Sequence, residues 1–186
     1  MGLTIFYSAT LREYDHIDEL TVEVKSICSD IGWKYKLVDS KKLKGIVILP
    51  ENCEPFYLTF LADGRLSGIP GMSDDIQHES KIFAFTKTQF AGPDTHIAQL
   101  KLLQCLNEKY FSEIEVFDEG LYWGKWDKKI LLDQFTRYTE AMDILSSVLT
   151  GMKTSPKDDL NIFTEAVENA VRKSLDEKND KHGTLS

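Results

Sequence analysis

The chain has 186 residues, is 42% hydrophobic and 28% charged, and carries a formal net charge of −8. Ten Phe, seven Tyr and three Trp supply a core, which excludes wholesale disorder. The acidic balance leaves no phosphate-tracking surface: Lys41, Lys42 and Lys44 form the one dense basic run, and it reads as a solvated loop rather than a nucleic-acid site.

Leu3–Ser8 is rich in β-formers and predicts a strand. After a polar loop, Ile17, Leu20, Val24, Ile27 and Ile31 recur at helical spacing, with Asp15, Asp18 and Glu19 at the start and Gly32 at the end. Residues 33–38 alternate Trp33, Tyr35 and Leu37 with lysines, the pattern of a half-buried strand. Gly45–Leu49 is a short apolar run stopped by Pro50. Phe56–Leu61 and Arg65–Ile69 flank Ala62-Asp63-Gly64, a hairpin signal. Residues 68–80 read as a connector.

The second half opens with Ile82–Thr86 as a buried strand. Phe90–Asp94 turns into a helix, with Pro93 in its first turn and Ile97, Leu100, Leu103, Leu106 and Tyr110 as its apolar stripe. Ile114 and Val116 mark the next strand, closed by Asp118-Glu119-Gly120. Asp127 caps a long helix that Gly151 stops, and Ser155-Pro156 starts a last amphipathic helix with a polar tail.

These elements predict an α+β fold: an antiparallel-rich sheet, two pseudo-repeated strand–helix–strand halves at about 3–70 and 81–126 with helices on one face, and a C-terminal helical hairpin. Residues 1–150 form the body and 151–186 the last helix and tail. The repeat rests on element order. Strands open at Ile5-Phe6 and Ile82-Phe83, helices begin at His16-Ile17 and His96-Ile97, and the following strands end in Asp39 and Asp118. In architecture alone this plan resembles the paired modules of GyrI-like small-molecule-binding domains, which implies a cleft along a pseudo-twofold axis; fold likeness does not transfer function.

No motif names a reaction. A phosphate loop, a Gly-Xaa-Ser-Xaa-Gly elbow and calcium-loop spacing are all missing from the sequence. His16, His78, His96 and His182 make no paired metal motif, so neither metal nor cofactor is expected. Cys28, Cys53 and Cys105 form no framework and read as free thiols; Cys28 and Cys105 fall in helical patterns and are expected to be buried, and Cys53 lies in a loop beside Glu51 and Glu54. The opening residues lack a basic-then-apolar leader and no apolar run reaches bilayer length, which together predict a cytoplasmic protein away from membranes.

The densest chemistry lies in 86–96 and 118–127. There His96 and Glu119 are the candidate acid–base pair, and Lys87, Gln89, Tyr122, Trp123 and Trp126 the candidate ligand-binding residues. Three functions follow. The first is a binding module for a small molecule or peptide held between the halves. The second is a hydrolase-type enzyme using His96 and Glu119. The third is an acidic interaction protein, such as a partner or inhibitor subunit, acting through its surface or helical hairpin; a small-molecule or peptide ligand and a homodimer are the partners expected.

Overall fold

The computed structural model describes residues 3–68, 84–151, 164–165 and 167–172. The expected connector beyond Gly68, the opening of the second-half strand and most of the last helix and tail lie outside the described residues. The chain divides into two compact units, Met1–Phe135 and Thr136–Ser186. None of the helices among the described residues is long and apolar enough to cross a membrane.

The fold is α+β. In chain order the elements are β1 (Thr4–Leu11), α1 (Ile17–Ile31), β2 (Lys34–Asp39), β3 (Leu43–Leu49), β4 (Phe56–Leu61), β5 (Ala84–Lys87), α2 (Pro93–Lys109), β6 (Phe111–Asp118) and α3 (Lys128–Gly151). The predicted periods match these elements closely. Helix α1 buries Ile17, Leu20, Val24 and Cys28, and ends at Gly32 with φ 75°, a left-handed conformation that glycine adopts without steric cost. The backbone N–H of Lys129 donates to Asp127 at 2.8 Å, the cap expected for α3.

Two antiparallel sheets form, β2-β3-β4 and β5-β1-β6. They are joined by one line of chain between β4 and β1. The hairpin at Gly64 (φ 82°) turns Arg65–Ser67 back along β4, where Leu61 N–H donates to Arg65 O and Ser67 N–H to Thr59 O. The same residues reach β1 on their other side, through Leu66 N–H to Ala9 O and Leu11 N–H to Gly64 O. Further along that edge β5 takes over, with Ala84–Lys87 pairing Tyr7–Thr4. The Tyr7 hydroxyl donates to Tyr57 O and accepts Tyr57 N–H, both at 2.9 Å. It thereby serves two β4 backbone groups.

One face of each sheet lines the core: Ile5, Tyr7, Ile46, Ile48, Phe56, Leu58 and Phe60 are fully buried with the inner stripes of α1 and α2. The strand–helix–strand order occurs twice, as β1-α1-β2 and β5-α2-β6. Strands β5 and β6 flank β1, whereas β1 and β2 lie in different sheets. Along α2 the buried residues are His96, Gln99, Leu100, Leu102, Leu103 and Leu106. Polar groups thus take inward positions at the start of the helix. Cys105 is exposed, against expectation, because it falls outside this stripe.

Candidate functional site

His96 sits in the first turn of α2, where Pro93 and the positive φ of Gly92 (87°) set the entry of the chain. It is fully buried. Its Nδ1 lies 2.7 Å from Thr88 Oγ1 and its Nε2 lies 2.8 Å from Asp118 Oδ1. A carboxylate only accepts, so Nε2 carries hydrogen and donates. With a bare Nδ1 the Thr88 hydroxyl donates to the ring; with Nδ1–H it accepts from the ring and donates to Leu3 O at 3.2 Å. The network is satisfied either way. Phe135 stands edge-on to the imidazole, with centroids 6.0 Å apart.

Asp118 is the last residue of β6 and organises the loop that follows. Oδ1 accepts Gly120 N–H at 2.7 Å, and Oδ2 accepts Tyr122 N–H at 2.7 Å and Trp123 N–H at 2.9 Å. Burial pushes this carboxyl up, but the His96 hydrogen bond and charge and the backbone N–H groups outweigh it, and the net position is below the ordinary aspartate value. The loop needs such a clamp. Leu121 (φ 56°) and Trp126 (φ 55°) are left-handed without being glycine, at about 1–2 kcal/mol each.

Gly120 leaves no room for a side chain: a Cβ there would come within 2.5 Å of Leu131 Cδ1 and 2.7 Å of His96 Nε2. Gly120→Ala is therefore expected to lower stability by about 1–3 kcal/mol through overpacking. Urea denaturation checks this, and a change within ~0.5 kcal/mol would show that the pair has slack.

The structure does not join His96 to Glu119. Both ring nitrogens are engaged by Thr88 and Asp118, while Glu119 Oε2 accepts Thr4 N–H at 2.8 Å at the end of the sheet. Tyr122 is buried, and Trp123 and Trp126 are half-buried against the core. These rings pack on one another, Tyr122 on Trp126 at 5.4 Å and Trp123 on Trp126 at 5.1 Å, with Lys101 Nζ 3.9 Å from the Trp126 ring centroid.

Lys87 and Gln89 are brought together, at a cavity of about 460 Å³ that they line with Asn52, Cys53, Glu54 and Phe90. Residues 52–54 connect β3 to β4 and reach the cavity because Glu54 N–H donates to Lys87 O at 3.2 Å, while Lys87 N–H donates to Glu54 Oε2 at 3.2 Å. The Lys87 ammonium stands 3.7 Å from the same carboxylate. Gln99 Nε2 donates to Cys53 Sγ at 3.4 Å, and the thiol lies 3.2 Å from Lys87 O. Burial pushes the Cys53 thiol above its ordinary value despite hydrogen bonds from Thr86 and Gln99, so the thiolate is disfavoured. Two acceptors here, Gln89 Oε1 and Gln99 Oε1, are buried without a hydrogen-bond partner among the described residues. A smaller cavity of about 220 Å³, lined by Glu54, Pro55, Tyr57, Gly68 and Phe85, opens beside it. Among the described residues, no three His, Cys, Asp or Glu side chains are grouped to hold a metal ion. No family model, curated protein or solved structure matches the chain.

Proposed function

We propose that this protein is a binding module that takes a small molecule or peptide, bearing N–H donors, between Asn52–Glu54 and Lys87–Phe90. The two segments belong to the first and second halves of the sequence. The observation that carries the reading is a ligand-sized cavity lined by Gln89, whose Oε1 is buried and without a partner among the described residues. An acceptor left so costs about 1–3 kcal/mol, and a turn of the Gln89 side chain toward the cavity lets a ligand N–H remove that cost. Exposed Phe90 at the rim supplies a flat apolar surface for the rest of the ligand. The acid–base reading draws no such support: His96 is fully buried, and its partners are Thr88 and Asp118.

The test is a titration of ¹⁵N-labelled protein with a panel of blocked dipeptides. Shifted amides are expected to concentrate at 52–54 and 86–90. Gln89→Leu is expected to weaken binding about tenfold while leaving stability unchanged or raising it by up to ~1 kcal/mol, since it deletes an unpaired buried acceptor. Shifts clustered elsewhere, or unaltered affinity in Gln89→Leu, count against the site.

A further inference from the structure

Strand β2 is the outer strand of its sheet and pairs with β3 on one side. Ser40 N–H donates to Leu43 O, which continues that ladder, so the main chain of the even-numbered residues of β2 faces β3. The N–H and C=O groups of Tyr35 and Leu37 therefore face away from the sheet. Among the described residues they have no hydrogen-bond partner. The strand is open to solvent: Lys34, Lys36 and Leu37 are exposed, Leu37 at 56%.

This edge is basic in an acidic protein. Residues 34–44, which are β2 and the turn into β3, hold five lysines and one aspartate, a local charge of +4 in a chain of net charge −8. Lys44 is matched by Asp18 at 2.7 Å. Lys34 and Lys36 stand on one face of β2. In an antiparallel strand added to the edge they take the narrow, non-hydrogen-bonded pairs, where opposed side chains come closest. Tyr35 and Leu37 take the other face, Tyr35 half-buried against the core and Leu37 exposed. The edge thus fits a strand that alternates acidic and apolar side chains. Lysines on an edge strand repel a second copy of the same strand, and the same charges select an acidic partner.

We infer that the β2 edge is a docking site for an extended segment of a partner protein, alternating acidic and apolar residues, which adds to the sheet as a further antiparallel strand. The outward main chain of Tyr35 and Leu37 supplies the hydrogen bonds, and the partner's acids meet Lys34 and Lys36. None of these residues lines either cavity, so strand docking and ligand binding are separate properties.

Fluorescence anisotropy of a labelled, blocked octapeptide alternating Glu and Val, titrated with the full chain, tests this. Saturable binding is expected, weakened as salt rises from about 50 to 300 mM and weakened at least about tenfold by Lys36→Glu. Leu37→Pro removes one outward N–H and leaves the ladder to β3 intact, so it too is expected to weaken binding about tenfold. Thermal melts of each variant separate lost docking from unfolding. The same peptide with alternate backbone nitrogens methylated is expected not to bind, since it cannot complete a ladder. Absence of binding by the alternating peptide overturns the proposal. So does equal binding of the methylated peptide, of an all-Glu peptide or of a single-stranded oligonucleotide, each of which reduces the edge to a basic patch. Affinity unchanged in folded Lys36→Glu or Leu37→Pro overturns it as well.

Discussion

Asp118→Ala is expected to lower the free energy of unfolding by about 3–5 kcal/mol in urea denaturation. Four N–H donors converge on this one carboxylate: His96 Nε2 and the backbones of Gly120, Tyr122 and Trp123. Alanine leaves all four without an acceptor in a region where Asp118 itself is 7% exposed. It also releases the left-handed loop residues Leu121 and Trp126 from the group that holds them. Asp118→Asn keeps the shape but points an amide donor at other donors, so it too is costly.

The pH dependence has a definite sign. The folded carboxyl lies below its ordinary value. Its contribution is therefore complete above the unfolded pKa, about 3.9, and is lost as pH falls through the folded value. The stability gap between wild type and Asp118→Asn is expected to be full at neutral pH and to shrink below about pH 4. A gap under ~1 kcal/mol at pH 7, or one that widens in acid, would falsify the clamp.

Gly45→Ala is the second large effect, about 3–5 kcal/mol. Gly45 lies inside β3 with φ 140°, and a Cβ there would stand 2.2 Å from Leu58 O and 3.0 Å from Thr59 Cα. Both obstacles are main chain of the neighbouring strand, so no rotamer change relieves the clash. The pairing of Gly45 with Thr59 must open, and Ile46 and Leu58, both fully buried, sit one position away. Thermal unfolding checks this; an alanine variant melting with wild type would mean that β3 has other ways to pack.

The helices and hairpin were legible because each is a local matter: the spacing of Ile17, Leu20 and Val24, the glycine after Ile31, the Asp-Gly turn before Arg65. What joins them is not local. Nothing in Tyr7 or Tyr57 announces that one hydroxyl will serve the other's backbone, since that depends on how β4 and β1 approach. The site was half legible for the same reason. Lys87 and Gln89 stand out after a buried strand, but Asn52, Cys53 and Glu54 join them only through backbone pairing of Glu54 with Lys87. Asp118 was legible as the end of a strand, not as the partner of His96, because its neighbour Glu119 carries the same chemistry. The alternation of a strand decides between them: Asp118 turns into the core and Glu119 returns along the sheet to Thr4.

The placement of β1 at the centre of its sheet has a consequence for the birth of the chain. β1 ends at Leu11, and its edge partner β6 ends at Asp118. At ~5–20 residues per second, the roughly hundred intervening residues take about 5–20 s to make. For that interval an apolar strand, Ile5-Phe6-Tyr7, waits with one edge open. Folding of this sheet thus waits for Asp118, and a chain stalled before it carries β1 with one edge unpaired.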